Sequence, residues 1–398
     1  MLPTKPNNPI ATFQRVLMIA RRECGILVRN PIYGFCMVVF PLAVMFYFTD
    51  IMHDGQPQEM PVGIVDLDNT STTRSLVRRL DAFQTSHVTG YYNSVEEARH
   101  AIQQNKIYAF LFLPKGTTDD LLSNRQPKIS FYYSSASIAA GALLFRDLKT
   151  VSILGAGAVG QAKMQAQGAA PEQINTFLQP IVVDLHPLNN PWANYNVYLS
   201  TMLIPGVLML FIFLITAYSI GTELKFKTNL QLMKAAKGDI LVALTGKMLP
   251  QFLIFLTIIY VFIWYMFGHL GFPHPGGVGR LMLLGLLAVL AAQSFGVFVF
   301  GLMPSLRMSM SVCSLWAVLS FTTGGFTFPV FAMDAPIEAM AQLFPLRHYY
   351  MIYQKCIFNA YPLHTAWFHF MALGIFIALP FFVLSKIRKA LTEYVYIP

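Results

Sequence analysis

Six stretches of the chain run without Asp, Glu, Lys or Arg between charged fences: Arg29 to Asp50, Asp184 to Glu223, Lys247 to Arg280, Arg280 to Arg307, Arg307 to Asp334 and Lys355 to Lys386. Each holds close to the ~20 mostly apolar residues that a helix needs to cross a ~30 Å hydrocarbon layer. The pattern predicts an α-helical polytopic membrane protein with six transmembrane helices, the first at residues 31–50 and five more within 196–398. Between the first two, residues 51–195 change period. Pro61 to Asp68 reads as an apolar strand ending in acidic turn residues, Thr70 to Phe83 as a helix, and His87 to Tyr92 as a second strand. Ser94 and Glu97 are spaced as a capping box for a helix reaching about Gln104. Ile107 to Leu113 and Lys128 to Tyr133 read as further strands, Ile138 to about Gln167 as a long helix or helix pair, and Ile181 to Leu185 as a returning strand. Alternating strands and helices predict an inserted α/β domain with a largely parallel sheet.

Composition agrees with a membrane protein: 55% of residues are hydrophobic, 33 are Phe, and the mean hydropathy is +0.52. The formal net charge of +9 raises a nucleic-acid reading that the positions of the cations exclude. Arg15, Arg21, Arg22 and Arg29 precede the first span, and Lys225, Lys227, Lys234, Lys237 and Lys247 fill the link between the second and third. Arg307 lies between the fourth and fifth, and Lys386, Arg388 and Lys389 follow the sixth. All fall on one side if the spans alternate, which is the positive-inside pattern with both termini cytoplasmic and 51–195 extracytoplasmic. Lipid headgroups, not DNA or RNA, are the expected counter-ions. Residues 1–30 carry basic and apolar groups at helical spacing and predict an amphipathic helix on the cytoplasmic interface. Cys24, Cys36, Cys313 and Cys356 make no disulfide framework.

Two motifs test other chemistry. Gly155, Gly157 and Gly160 spell a dinucleotide fingerprint, with Asp184 about where a ribose-binding acid would lie. That mechanism needs a strand and a tight turn before a helix N-terminus, whereas Ala139 to Thr150 favour a helix running into the glycines. Small residues for close helix packing explain them better. Asp66, Asp68, Asn69 and Thr70 lack the glycine and terminal glutamate of a calcium loop and read as a strand-end turn with a helix cap. Gly246-Lys247 is followed by Met248 and is no phosphate-binding loop. The predicted span interiors carry no ionisable residue except His369, so the energy for any transport must come from a partner.

At this point the chain resembles the permease subunits of bacterial type-2 ATP-binding-cassette (ABC) exporters, in the branch with a large extracytoplasmic domain between the first and second spans. The resemblance rests on Arg22-Glu23, Arg29-Asn30-Pro31 and Pro41 near the start, and on Val62 to Asp68 and Tyr108 to Pro114 in the inserted domain. It continues through Asn190-Pro191, Ile204-Pro205-Gly206, Glu223 to Leu232, Gly246-Lys247 and Pro250, then Thr323 to Pro329 and Phe344 to Arg347. Lys227 stands where the family pattern has glycine.

The resemblance implies a half-transporter in the bacterial cytoplasmic (inner) membrane. It would work with cytoplasmic ABC ATPase subunits and a second permease copy or homologue, and similar branches add a periplasmic adaptor. ATP and magnesium would sit on the partner ATPase, with no cofactor on this chain. Within a cytoplasmic loop spanning 223–247, Glu223, Lys225, Phe226, Lys227, Thr228, Leu230, Leu232 and Lys234 are the expected ATPase-coupling residues. Gln293, Ser294, Thr322 and Thr323 are candidates for the substrate path or dimer axis, or equally for hydrogen-bonding glue between helices. Gly324, Gly325, Phe326, Pro329 and Pro345 are assigned to an outer mouth, followed by a re-entrant segment at 331–362. The expected activity is ATP-driven export of an amphiphilic or hydrophobic molecule. The competing readings are a membrane-anchored binding or scaffold protein and, on the glycine fingerprint alone, a nicotinamide-binding enzyme.

Overall fold

The computed structural model describes residues 9–123, 125–179, 184, 186–329 and 332–393. Helix α1 (Pro9–Arg29) leads into α2 (Pro31–Ile51). There follow β1 (Met60–Asp66), α3 (Ser71–Asp81), β2 (Ser86–Tyr91), α4 (Val95–Gln103), β3 (Ala109–Leu113), α5 (Thr117–Leu122), β4 (Ser130–Tyr133), α6 (Ile138–Ala166) and α7 (Pro171–Leu178). The remaining helices are α8 (Tyr195–Lys225), α9 (Asn229–Ala235), α10 (Ile240–His269), α11 (Val278–Leu302), α12 (Leu306–Thr323), α13 (Ala335–Ala341), α14 (Pro345–Ile352) and α15 (Leu363–Glu393). The chain divides into two compact units, Asp54–Pro187 and the two flanking segments taken together. The first of these lies within the segment 51–195 that the sequence assigns to the inserted domain.

In the α/β unit the strand order is β2-β1-β3-β4, with β1 parallel to β2 and to β3, and β4 antiparallel at the edge. Alternation along each strand feeds two cores. Ile64 and Leu111 face Val77 and Leu80 of α3 and Leu144 and Leu148 of α6. Their neighbours Val65 and Phe110 face Ala98 and Ala101 of α4 on the other side. Ser94 caps α4 as expected, accepting from the Glu97 N–H at 3.1 Å. The reciprocal half of the box is displaced by one residue: the Glu97 carboxylate accepts from the N–H of Asn93, at 2.9 Å. The strand expected at Ile181 to Leu185 lies, Asp184 apart, outside the described residues. The glycine fingerprint sits in the middle of α6, a single continuous helix. A Cβ on Gly155 would come within 2.9 Å of Leu76 Cδ1, and one on Gly160 within 2.8 Å of Leu178 Cδ2, so both glycines serve close helix packing.

The acidic turn after β1 is a hydrogen-bonded junction. Asp66 Oδ1 accepts from the N–H groups of Asp68 and Asn69 at 3.0 and 2.9 Å. Asp68 accepts from the Gly116 N–H, the Thr118 N–H and the Thr118 hydroxyl at 2.7, 3.0 and 2.6 Å, tying the end of β1 to the turn after β3. The helix cap itself is Thr70. These bonds, the Thr118 hydroxyl foremost, hold the Asp68 carboxyl below its usual pKa against the opposing effect of desolvation. A depressed folded pKa adds stability that is complete above the unfolded value and is lost as pH falls through the folded one. The difference in melting temperature between wild type and Asp68→Asn should therefore be full above about pH 5 and disappear on acidification below about pH 4. Thermal melts across that range check it. Asp147 on α6, buried and bonded to the Thr85 hydroxyl just before β2, is shifted upward by burial, with Arg146 opposing. Its ionisation costs stability near neutral pH, the opposite sign.

Among the described residues of the helical unit, five helices are long and apolar enough to cross a membrane: α2, α8, α10, α11 and α15. The expected fifth span corresponds to α12, which is not among them. It ends at Thr323, just before Gly324 and Gly325 of the expected outer mouth, and Gly325 takes a left-handed φ of +96°. α8 is the central helix, buried along most of its length. Small residues let its neighbours approach closely: a Cβ on Gly206 would lie 2.5 Å from Phe321 Cε1, and one on Gly221 would lie 2.6 Å from Leu306 Cδ1. α12 therefore runs against α8 along its whole length. In α2 a π-helical turn at Phe35–Val39 precedes Pro41, whose missing N–H breaks the regular ladder.

Candidate functional site: a buried charge cluster beside an exposed basic segment

The helical unit contains a charge cluster that the sequence reading did not anticipate. α1 was expected to lie on the interface with its arginines toward headgroups. One stripe of it, Ile19, Glu23 and Leu27, is buried, and the helix packs on α10 at Gly246, where a Cβ would meet Ile19 Cβ at 2.7 Å. The packing brings Glu23 to Lys247, which lies two turns inside α10 and not at the end of a loop. Lys247 Nζ donates to Glu23 Oε2 at 2.7 Å and to Glu223 Oε1 of α8 at 2.9 Å. Arg22 donates to both oxygens of Glu223 at 2.9 and 3.0 Å, a bidentate pair that raises the arginine pKa. Gln251 donates to Glu23 Oε1 and to Ser219 Oγ, at 3.1 and 2.7 Å, and Thr228 donates to Glu223 Oε2 at 2.5 Å. Glu23, Lys247 and Glu223 are 0, 1 and 2% exposed.

Two cations and two carboxylates thus balance one another in a closed set. Lys247 and Glu223, the charges that fence the apolar stretches, lie within α10 and α8 and are buried, each with an oppositely charged partner. The available signal was Glu23 itself, a charge on the apolar stripe of an amphipathic helix. His369 is buried against His348, Nδ1 to Nδ1 at 3.0 Å, and His348 Nε2 lies 2.9 Å from the Gln342 carbonyl. The carbonyl can only accept, so His348 carries its proton on Nε2 and receives one from His369.

Beside the cluster, α8 ends in a Schellman turn: the Lys227 N–H bonds the Leu224 carbonyl and the Thr228 N–H bonds the Glu223 carbonyl. Lys227 occupies the left-handed position of that turn, with φ +56°, the conformation in which glycine is at no disadvantage. Lys227→Gly should raise the stability of the chain by up to about 1 kcal/mol, read as a small increase in melting temperature. The eight proposed coupling residues then divide. Lys225, Phe226, Lys227, Leu230 and Lys234 are exposed, with Phe226 at 64% and Leu230 at 53%. Thr228 is part-buried. Glu223 and Leu232 are not available to a partner: the first belongs to the charge cluster, and the second, at 0% exposure, packs with Met233 into the core against α10 and α15. A seven-residue helix has room for one apolar face, and the interior takes it.

The other predicted positions do not form one site. Gln293 donates to the Met248 carbonyl at 3.0 Å and so joins α11 to α10. The hydroxyls of Thr322 and Thr323 both bond back to the Leu319 carbonyl within α12. Ser294 is half-buried on α11. Gly324 closes on Met202 of α8, where a Cβ would lie 2.6 Å from Cε. Phe326 tucks between Phe321 and Tyr350, and its carbonyl accepts from the Tyr198 hydroxyl. Pro329 is exposed, whereas Pro345 is buried in the first turn of α14. Of the segment 331–362, the described part forms α13, α14 and a π-helical turn at Tyr353–Phe358. Among the described residues no group of His, Cys, Asp and Glu is arranged to hold a metal ion.

No individually curated protein matches the chain. A family model described as ABC-2 family transporter protein matches residues 32–386, from the start of α2 into the last turns of α15. The match takes in every candidate span, Glu223 and Lys247 of the charge cluster and the exposed basic segment, and the chain belongs to the ABC-2 family of transporter proteins.

Proposed function

We infer that the chain is the membrane-spanning half of an ATP-driven exporter of amphiphilic or hydrophobic molecules, coupled to a separate ATPase through the segment Lys225 to Lys234. Permeases of this family are transport subunits that work in the membrane with ABC ATPase subunits. In this reading α12 completes a six-span bundle, both termini and the basic segment are cytoplasmic, and the α/β unit is extracytoplasmic. A second copy or a homologue completes the permease pair, and ATP and magnesium bind on the ATPase alone. The observation that carries the reading is exposed Phe226 at the end of α8 and exposed Leu230 on α9, among three exposed lysines, with the other side of α9 fixed in the core. An apolar pair rimmed by charge suits a groove on a soluble partner.

Motion of α9 would be felt at once by α1, α8 and α10, because Thr228, Glu223, Arg22, Lys247 and Glu23 are hydrogen-bonded in series. Rigid helices joined by such a cluster move together, as alternating access requires. The test is co-purification from the native membrane with cysteine labelling of the basic segment. A nucleotide hydrolase should accompany the chain, and a cysteine at position 230 should react only from the cytoplasmic side. Recovery without a hydrolase, or labelling from outside, would refute the proposal.

A further inference from the structure

We propose that the α/β unit binds a single-chain amphiphile with an anionic head, in a cleft at the carboxyl ends of β1 and β3. The strand order β2-β1-β3-β4 places β1 at a reversal: the chain leaves it toward β2 on one side, and β3 lies on the other. In open sheets with parallel strands such a switch point leaves a crevice beyond the carboxyl ends of the strands, where ligands bind. A cleft of about 820 Å³ opens there, lined by Ser71 to Thr73 just after β1 and by Leu113 and Thr117 at the end of β3. Its volume lies within the range of small-molecule sites.

The lining has two chemistries. Leu76, Leu121, Ile129 and Val159 supply apolar surface, and the small residues of the glycine fingerprint on α6 leave the wall free of bulky side chains. Arg79, Arg125, Lys128 and Lys163 supply four cations, and no acidic side chain is in the lining. Arg125 is paired with Asp120 at 2.9 Å, whereas Arg79, Lys128 and Lys163 have no carboxylate partner among the described residues. The nearby carboxylate of Asp68 is already engaged by the N–H groups and hydroxyl of the β3 turn. A pocket with an apolar wall and three uncompensated cations selects a ligand that is apolar along its body and carries a carboxylate or phosphate. A dinucleotide fits less well: the glycines lie mid-helix and present no free N–H groups to a pyrophosphate.

The test is photo-crosslinking of the full chain in nanodiscs of zwitterionic lipid. The probe is a sixteen-carbon fatty acid carrying a mid-chain diazirine, compared with the corresponding neutral alcohol, with labelled peptides mapped by mass spectrometry. The acid should label α3 and α6 at the cleft, and dodecyl phosphate should displace it. The triple variant Arg79→Gln, Lys128→Gln, Lys163→Gln should lower acid labelling on the order of tenfold while leaving alcohol labelling unchanged. Exchange of Arg79 for Lys, which keeps the charge, should retain labelling and guards against a folding artefact. Equal labelling by acid and alcohol, labelling outside the cleft, or an unaffected triple variant would each overturn the proposal. Displacement by inorganic phosphate as effective as by dodecyl phosphate would also overturn it, because the apolar wall would then contribute nothing. Binding here is independent of transport, so failure of this experiment leaves the transport reading standing.

Discussion

Replacing Lys247 by methionine should destabilise the helical unit by about 3–5 kcal/mol, the usual cost of leaving a buried charge without its partner. Glu23 would then lie in the interior with only Gln251 and Ser219 as donors, while Glu223 would keep Arg22. The expected signs are a lower yield of monodisperse protein from membranes and a melting temperature depressed by several degrees. Adding Glu23→Gln removes the stranded carboxylate and should recover more than half of the loss, because a neutral pair of similar shape needs no counter-charge. If the single variant is as stable as wild type, the buried Glu23 carboxylate does not depend on the charge of Lys247. If the double variant is no better than the single, Lys247 is stabilising through packing and not through charge.

The second large effect concerns assembly and spares the fold. Reversing Lys225, Lys227 and Lys234 to glutamate changes only exposed side chains, and surface substitutions of this kind usually alter stability by less than about 0.5 kcal/mol. Recovery of the ATPase with the permease should nevertheless fall on the order of thirtyfold, since opposed like charges across an interface cost about 2 kcal/mol or more. Phe226→Ala alone should lower recovery about tenfold if the ring is a buried anchor in the complex. Leu232→Asp is the contrasting case: it strikes the core and should reduce the yield of the permease itself. Undiminished recovery of the ATPase with all three lysines reversed would place the contact elsewhere on the chain.

Much of this was readable in the order of the residues. The charge-free stretches gave the apolar helices because backbone hydrogen bonds in lipid must be satisfied within a segment. The succession of strand and helix signals from Pro61 to Tyr133 marked an α/β unit; that Ile64 and Val65, or Phe110 and Leu111, feed separate cores on the two faces of the sheet was seen only in the packing. The glycines at 155 to 160 could be set aside as a nucleotide loop because the residues before them favour a helix. What misled was proximity along the chain. Glu223 and Leu232 stand beside five lysines in sequence and looked like part of an exposed loop, yet helical geometry turns both inward.

Sequence alone therefore determined the hydrophobic helices and the α/β unit inserted between the first two of them, because each follows from interactions within a few residues. Only the tertiary structure decided which charges are spent inside the protein and which remain on offer. Glu23 and Lys247 are 224 residues apart, and nothing local to either predicts the other. Their meeting depends on α1 lying against Gly246, and the cleft at the end of β1 and β3 depends on strands that cross in chain order; both are properties of packing, to which no short stretch of residues has access.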